Sequence, residues 1–501
     1  MTRTGEKGVA LVFTLFLMAA LSAMAVSLMF LAQTETSASR NYKTMSQARY
    51  GGEAGVHRAL NYLSSTAYTS AVTTTTGFDT SVSPVTYGGQ PVVLAPVATS
   101  SNHPDTAIKT AYAALFTSSA ATLSLGSGAT VGYTATATLL SMRSVTVYGG
   151  ASAVVQNWRI TAVGTVPGAL PATVEVAAIM ERDIVPAETY AIFATGAGCG
   201  AINMVGNVHT DSYDSTAMTL TGSPAHPATD SYGGAVGTNG NLSISGQVSV
   251  NGNLDTPRTG VGACTNGSIT AITETGQATV SGQTIQLPQA KIYQTPNAPS
   301  PAPPTTTMTI NASSTCASIG MALPYCSGSA GNLVIMANGT TLSWGNVTMS
   351  GGANVTILGG TSSFVNLNVN SWTLSGNSTI TLGPSTSVTL NVQGSGVPSS
   401  QSVLDFTGGN VTNSSFDPSK FQILYAGTGT IAVGGTSDTS ATIYAPNAFV
   451  DMHGSAGFYG SVLSNTFKDN GGASMHYDRS LGSKFYTLGQ HVMSSFSWQK
   501  Y

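Results

Sequence analysis

The residues best suited to chemistry are a few acids in the second half of the chain. The segment HTDSYDS, residues 209–215, places Asp211 and Asp214 three positions apart. A hard cation such as Ca²⁺ takes several oxygen ligands, so these two carboxylates form a weak candidate for a cation site. The preferred interpretation is structural, because Asp and Ser favour turns through side-chain bonds to their own backbone. We therefore predict no metal site.

Asp451, His453, His476 and Asp478 near the C-terminus could instead supply an acid and a base. Glycosidases use two carboxyl groups held about 5 to 9.5 Å apart. Turn formation again explains these residues more simply, and the sequence contains no Walker loop, zinc-ligand spacing or nucleophile elbow. We expect no catalytic residues, no cofactor and no enzymatic activity. An anchored or exported β-helix enzyme that acts on polysaccharide is the alternative.

The four cysteines are Cys199, Cys264, Cys316 and Cys326, and no two of them form a CxxC pair. An even number in an exported chain favours two disulfides, which four cysteines can form in three ways. The preferred pairing joins Cys316 to Cys326 across a short loop and Cys199 to Cys264. Four buried free thiols are the alternative.

Charge is scarce throughout the sequence. Charged residues make up 7% of the 501 residues and the net charge is −3, so there is no electrostatic footprint for nucleic acid. Hydrophobic residues reach 42%, which argues against intrinsic disorder. Abundant Gly, Thr, Ser and Asn beside alternating Val, Ile and Leu indicate a folded, mostly β protein that works outside the cell.

The first structural element that the sequence predicts is an apolar stretch near the N-terminus. Val9 to Ala32 is 24 residues long and contains no charge, which exceeds the roughly 20 residues that span a bilayer as a helix. Arg3 and Lys7 precede it, so the positive-inside tendency places the N-terminus in the cytoplasm. A cleaved secretory signal is the rival, since residues 23–25 fit the A-x-A pattern, but the apolar run continues past that site.

Beyond this stretch, apolar residues recur every three or four positions, as on one face of a helix. The stripe comprises Ala38, Tyr42, Met45, Ala48, Gly52, Val56, Leu60 and Leu63. We therefore predict one transmembrane and amphipathic helix over residues 9–63, on the order of 80 Å long. The GGEAG segment, residues 51–55, should be its weak point, because each glycine costs about 1 kcal/mol relative to alanine.

The short basic leader ending in Gly8, the apolar run, the NY…A…Y stretch and the GGEAG box resemble the N-terminal domain of PilX-type pilus assembly proteins, a branch of the type IV pilins. The resemblance implies that residues 1–8 are a leader and that a prepilin peptidase cuts between Gly8 and Val9. It also implies that Val9 becomes N-methylated, and that other pilins and the pilus assembly machinery are partners.

The fifth residue of the implied mature chain departs from this pattern. Major pilins carry Glu there, where its carboxylate can neutralise the N-terminal amine of a neighbouring subunit in dry surroundings. This chain has Phe13 instead. Without the carboxylate, the subunit should fit poorly in the repeating shaft and be tolerated at the tip. An anchored protein that never polymerises is the alternative.

Residues 64–186 change to a strand pattern. VGYTATATLL, SVTVYGGASAVVQNWRITAVGTV and ATVEVAAIMER alternate at period two, with Gly149-Gly150 as a hairpin turn. AIKTAYAALF, residues 107–116, predicts a short helix. A long helix followed by an antiparallel meander is the plan of a pilin head, so we assign this range to a pilin-like β head.

Residues 187–482 repeat a Gly-Asn pair followed by alternating apolar residues. The pairs begin at Gly206, Gly240, Gly252, Gly331, Gly345 and Gly376. Short strands with Gly/Asn turns and no intervening helices predict a β-solenoid, which we expect to be right-handed, in which each coil buries its apolar face on the next. The irregular spacing leaves a β-sandwich as the alternative.

Two segments depart from this repeat. A Pro-rich excursion occupies about residues 284–330, and residues 483–501 are assigned to a C-terminal tail. The last coils resemble a β-helical domain often attached to PilX-type N-termini. Trp344, Trp372 and Tyr425 could contact surface carbohydrate, although Trp in a β-helix more often lies in the core.

These expectations combine into an α+β, mostly β protein with a single pass through the inner membrane and its bulk in the periplasm or on an extracellular filament. The expected function is that of a minor pilin-like subunit of a type IV pilus or pseudopilus, which acts in filament assembly at the tip and in surface adhesion. A purely structural surface protein is a third alternative.

Overall fold

The computed structural model describes residues 7–65, 76–117, 121–124, 130–168, 171–435 and 437–500. Of the predicted leader, residues 1–6 lie outside the described residues. The chain forms two compact units. The first comprises residues 1–145, 153–183 and 490–501, and the second comprises residues 146–152 and 184–489.

Helix α1, Lys7–Ser64, is continuous over 58 residues and about 87 Å long. In the described part of the chain it is the one helix that is long and apolar enough to cross a membrane. Residues 8–43 are exposed throughout, and full burial begins at Ala48. The predicted helix is confirmed, but Ala38 and Tyr42 of the predicted stripe are exposed, because the described part of the first unit packs on the helix only from Thr44 onward.

The chain between α1 and Pro186 contains one further α-helix, one short 3₁₀ turn and eight strands in its described residues. They are β1 (Phe78–Asp79), β2 (Thr86–Tyr87), β3 (Gln90–Pro91), β4 (Val93–Leu94), the 3₁₀ turn Ala98–Ser100, α2 (Thr106–Ala114), β5 (Thr122–Ser124), β6 (Thr130–Thr146), β7 (Ser152–Val166) and β8 (Ala172–Pro186). Helix α2 confirms the predicted short helix, and its N-terminus is capped by the Asp105 carboxylate, which accepts a hydrogen bond from Ile108 N at 3.0 Å.

The three long strands of this region lie side by side in the order β8, β7, β6. Strand β7 pairs with β8 in antiparallel register from Trp158↔Met180 to Val166↔Ala172. Gly149 and Gly150 turn the chain between β6 and β7, and both have positive φ angles, 83° and 78°. The predicted hairpin turn is therefore confirmed, since only glycine takes two successive left-handed positions readily.

In the described remainder of the chain, the regular elements are strands and three short 3₁₀ turns. In chain order the strands are β9 (Ile192–Ala194), β10 (Ile202–Gly206), β11 (His209–Tyr213), β12 (Leu220–Thr221), β13 (His226–Pro227), β14 (Val236–Thr238), β15 (Leu242–Gly246), β16 (Ser249–Val250), β17 (Leu254–Thr256), β18 (Ile272–Gly276), β19 (Thr279–Val280), β20 (Thr284–Gln286), β21 (Thr307–Ile310), β22 (Cys326–Ser329), β23 (Asn332–Met336), β24 (Leu342–Met349), β25 (Asn354–Leu358), β26 (Phe364–Leu374), β27 (Ser378–Leu382), β28 (Ser387–Val392), β29 (Ser402–Asp405), β30 (Gly409–Thr412), β31 (Phe421–Tyr425), β32 (Thr430–Gly435), β33 (Thr439–Gly454), β34 (Gly457–Gly471), β35 (Ser474–Asp478) and β36 (Tyr486–Lys500). Short 3₁₀ turns lie at Ala317–Ile319, Pro418–Lys420 and Arg479–Ser483.

The second unit is a stack of parallel coils. Among the described residues its strand pairs are parallel, except for β12 with β13 and β22 with β23. Residues of successive coils align in columns, such as Phe467, Ile202, Leu242 and Ile272, all of them buried. Parallel columns of this kind make a solenoid-like sheet rather than the alternative β-sandwich, whose strands are antiparallel. The right-handed sense stays a prediction.

The two segments that depart from the repeat have different structures. Residues 287–306, within the Pro-rich excursion, contain no strand or helix. Residues 483–501, assigned to a tail from the sequence, include the fifteen-residue strand β36. This strand lies beside β8 in the sheet of order β36-β8-β7-β6-β4, in which β5 also pairs with β6.

Candidate functional site

One cluster of two histidines and a carboxylate lies on neighbouring strands of the second unit. His209 and Asp211 are two positions apart in β11, so their side chains share one face of the strand. His476 in β35 is the register partner of Asp211. Met475 and Tyr477, on either side of His476, belong to the interior core, so His476 and its register partner Asp211 project from the outer face of the coil.

The potential ligand atoms of the three side chains lie close together. His476 Nδ1 lies 2.5 Å from Asp211 Oδ1, and His209 Nε2 lies 3.8 Å from Asp211 Oδ2. One donor atom from each residue lies within 4.8 Å of the other two. Ser474 Oγ is 2.9 Å from His209 Nδ1. Ser474, His209 and Asp211 follow the order nucleophile, base and acid, but 3.8 Å is too long for the hydrogen bond that such a relay needs.

The cluster is enclosed at one end and open at the other. The side chains of Asp211 and His476 are 7% and 10% exposed, whereas that of His209 is 42% exposed. The ring of Tyr459 covers His476 at a centroid distance of 4.3 Å. Burial lowers the pKa of His209, against the opposing effect of the nearby Asp211 carboxylate. A neutral imidazole at neutral pH can act as a metal ligand or as a general base.

Asp214 takes no part in this cluster. Its Oδ1 accepts hydrogen bonds from the backbone N of Thr216 at 2.9 Å and from Thr216 Oγ1 at 2.6 Å. These hydrogen bonds lower the pKa of Asp214. For Asp214 the structure therefore shows the turn interaction preferred from the sequence. Asp211 contacts two histidines and not Asp214, the other carboxylate of the weak cation-site candidate.

The other acids singled out from the sequence are dispersed. Asp478 Oδ1 accepts hydrogen bonds from the backbone N of Ser480 at 3.0 Å and of Ser215 at 3.1 Å, so it organises a turn. Asp451 Oδ2 contacts His453 Nε2 at 3.0 Å. The structure thus divides the suggested acid–base group, because Asp451 pairs with His453 and His476 pairs with Asp211.

Two buried carboxyl groups were missed in the sequence. Burial raises the pKa of Glu188 to about 7 and that of Asp469 to about 7, with the Asp451 carboxylate adding to the effect at Asp469. Both Asp469 oxygens are buried and have no hydrogen-bond partner. The sequence did contain a signal for Asp469. It lies two positions after Phe467, and strand alternation directs both side chains to the interior. The position was overlooked because acids are rarely buried.

The remaining sequence-derived residues have simple placements. The structure joins Cys199 to Cys264 and Cys316 to Cys326, the pairing preferred from the sequence. Gly8 and Val9 are exposed in the first turn of α1. Trp344, Trp372 and Tyr425 lie in the solenoid core. This is the placement favoured from the sequence for the two tryptophans, and it rules out the alternative that the three residues contact carbohydrate.

A groove of 420 Å³ opens on the second unit. It is formed by the turn at residues 146–150, by residues 297–300 of the Pro-rich excursion, and by side chains of β26, β28 and β31, among them Asn366, Thr389 and Gln422. None of its lining residues is charged. The groove therefore offers amide and hydroxyl groups for hydrogen bonds to a neutral polar ligand.

Comparison with known proteins finds a family match for the N-terminal part of the chain. Residues 7–57 match the family model described as PilX N-terminal. The N-terminal segment is of the PilX type. This PilX-type segment comprises most of α1, including its exposed apolar half and the GGEAG box, as the resemblance predicted.

The other comparisons carry less information. Residues 334–484 match a domain of unknown function, DUF7305. No curated protein matches the chain. A crystal structure of the competence-associated pilin ComZ from Thermus thermophilus is 13% identical and covers 76% of this chain and 86% of its own, with a TM-score of 0.23. A TM-score this low supports no argument about the fold.

Proposed function

We propose that this chain is a minor pilin-like subunit whose helix enters a type IV pilus or related pseudopilus and whose solenoid is displayed outside the cell. The observation that carries the proposal is the exposed apolar run of α1, residues 9–32, within a PilX-type segment. An apolar helical surface of this size is stable only in a membrane or against other helices. The N-terminus faces the cytoplasm and the bulk faces the periplasm or the filament surface.

Processing distinguishes this proposal from an exported protein. A prepilin peptidase would cut between Gly8 and Val9, and mass spectrometry of the purified protein should find an N-methylated Val9 at the start. A signal peptidase would cut after Ala25 instead, and a mature chain that begins at Val26 would contradict the pilin assignment.

Placement at the filament tip rests on Phe13. This residue lies in the apolar part of α1, where a pilin of the shaft would carry a carboxylate. We expect labelled wild-type protein at filament ends, in low copy number, and Phe13→Glu protein along the shaft. Phe16→Glu is the matched control. The exposed fraction of Phe16 is 71% and that of Phe13 is 73%, and the substitution adds the same charge three positions away. Equal distributions of the two variants would remove the argument from Phe13.

Surface adhesion rests on the uncharged groove, and its ligand class would be neutral carbohydrate. Binding to an array of neutral oligosaccharides should change little between low and high salt, because screening acts on charges. Asn366→Ala with Thr389→Ala should weaken binding several-fold, whereas Asn410→Ala, on a strand outside the groove, should not. Binding that high salt abolishes, or that survives the groove substitutions, would contradict this role.

We propose a binding module rather than an enzyme. Asp451 and Asp478 are engaged with His453 and with a turn, respectively, and Asp469, the carboxyl whose pKa Asp451 helps to raise, is fully buried. Full-length protein should release no sugar from polysaccharides. Release that Asp451→Asn or Asp478→Asn abolishes would instead establish the alternative, a β-helix enzyme.

A further inference from the structure

We propose that His209, Asp211 and His476 form a binding site for one divalent transition-metal ion, with Zn²⁺ the ion that the ligand set suits best. The three residues combine two imidazoles with one carboxylate, which is the type of protein ligand set found in zinc sites that keep a fourth position open. The site is independent of the pilin-like role of α1, since all three ligands belong to the second unit.

The strand register holds the ligands together. Asp211 and His476 are paired positions of neighbouring parallel strands although they are 265 residues apart in the chain. His209 precedes Asp211 by two positions and therefore projects from the same face. Strand positions have well-defined backbones, so the site does not depend on ordering a loop around the ion.

The distances are close to those of a tetrahedral site. Ligand atoms bonded to Zn²⁺ at about 2.0–2.1 Å are about 3.3 Å apart. The separation of His209 Nε2 from Asp211 Oδ2 is 3.8 Å, and that of His476 Nδ1 from Asp211 Oδ1 is 2.5 Å. The third separation, between the two histidine ligand atoms, is at most 4.8 Å. Side-chain rotations that draw the histidines together and move His476 away from Asp211 would therefore admit the ion.

The surroundings fix the orientation of the histidines. Ser474 Oγ lies 2.9 Å from His209 Nδ1 and can accept a hydrogen bond from Nδ1–H, which leaves the Nε2 lone pair directed to the ion. Partners of this kind set the tautomer of metal-bound histidines. The ring of Tyr459 holds His476 from one side, and a Cβ at Gly457 would lie 2.9 Å from His476 Nε2, so glycine leaves room for the imidazole.

The ligand set separates this site from the calcium site considered in the sequence. Ca²⁺ takes six to eight oxygen ligands, and imidazole suits zinc, copper, nickel and iron. Here one carboxylate is joined by two imidazoles, and Asp214 is committed to its turn. The half-exposed His209 leaves an entry path for the ion and space for a water molecule as fourth ligand.

Metal binding can be measured on the full-length protein in detergent after treatment with a chelator. Calorimetric titration with ZnCl₂ should show one ion per chain, and titration with CoCl₂ should produce the visible absorption of a tetrahedral Co²⁺ site. His209→Ala should weaken zinc binding by more than about tenfold, and Ser474→Ala by about tenfold as an orienting residue. CaCl₂ should give no saturable binding at the same concentrations.

The control is His453→Ala, which removes a histidine that also contacts an aspartate, Asp451, but has no second histidine in a metal-ligating group of the described residues. Its zinc affinity should equal that of the wild type. His209 is half exposed, so His209→Ala should fold, as unchanged circular dichroism would verify, even if His476→Gln does not. The proposal is overturned if the wild type binds no zinc, if His209→Ala binds it as tightly, or if His453→Ala loses it equally.

Discussion

Glu188 shows how a single buried residue responds to the solenoid interior. Its Oε2 lies 2.5 Å from Ser461 Oγ, and the same hydroxyl lies 2.7 Å from the backbone O of Tyr190. A hydroxyl has only one proton, so it cannot donate to both oxygens. Protonation of Glu188 Oε2 resolves this conflict, because Oε2 then donates to Ser461 Oγ while Ser461 donates to Tyr190 O; Glu188 Oε1 is buried without a hydrogen-bond partner. Burial raises the pKa of Glu188 to about 7, which agrees with that arrangement.

The raised pKa predicts a pH dependence of stability. Below about pH 4.5 the carboxyl is protonated in both the folded and the unfolded chain. Between 4.5 and about 7 the unfolded chain releases the proton and the folded chain keeps it, so the free energy of unfolding falls as pH rises. The loss is of order 3 kcal/mol and persists above pH 7.

Glu188→Gln should remove this decline and raise stability at pH 8, because the amide can donate to Ser461 Oγ without a charge. Asp469→Asn should act in the same direction, since the pKa of Asp469 is also raised to about 7. Chemical denaturation of the full-length protein at pH 5 and pH 8 measures the effect. Glu274→Gln, at an exposed carboxylate, is the control, and an equal change there would show that net charge is responsible.

Helix α1 and the sheet beneath it depend on glycine for their close approach. The sequence marked the GGEAG segment as a weak point, but the helix is continuous through it. Gly51, Gly52 and Gly55 are buried, and a Cβ at Gly52 would lie 2.6 Å from Val176 Cγ2. Gly164 in β7 faces the same region. A Cβ there would overlap the backbone O of Ala48.

Gly164→Ala should therefore destabilise the first unit by about 1–3 kcal/mol, because backbone atoms of the helix cannot yield as a flexible side chain can. Hydrogen exchange of the β6–β8 peptides should increase together with that of the second half of α1. Gly198→Ala is the control, since a Cβ at that position meets nothing within 4 Å. Unchanged exchange in Gly164→Ala would show that the helix rests on the sheet less closely than these distances indicate.

Exposed and buried apolar side chains lie in different parts of the molecule. Large exposed apolar side chains are concentrated between Val9 and Leu31, whereas the described residues of the second unit enclose an extended core and a smaller apolar cluster. The residues of α1 that pack on the first unit begin at Thr44. The exposed apolar part of α1 is thus separate in sequence from the part that packs on the first unit.

A chain that lacks residues 1–33 should consequently be soluble without detergent and unfold within a few degrees of the full-length protein. Its purification behaviour and its thermal unfolding by circular dichroism check both statements. Every residue of α1 that is buried in the first unit is retained. A fall of more than about 5 °C, which corresponds to roughly 1 kcal/mol or more, would mean that the apolar half stabilises the body directly.

The sequence by itself determined the elements whose signals are local. A charge-free run of 24 residues needs no partner to indicate a membrane helix. Period-two alternation identified the long strands, Gly149-Gly150 their turn, and residues 107–116 the short helix α2. The Gly-Asn repeats indicated stacked short strands, because turns recur wherever one side of a coil ends.

Only the tertiary structure decided which distant residues meet. Asp211 and His476 pair through a register between coils 265 residues apart, and neither segment contains a local signal for the other. The same holds for β36, which was assigned to a tail from the sequence and forms a strand beside β8. It also holds for Gly52, where a side chain would be excluded by contact with Val176. Strand alternation specifies a face but not the neighbour on that face, and the chemistry of this protein depends on that neighbour.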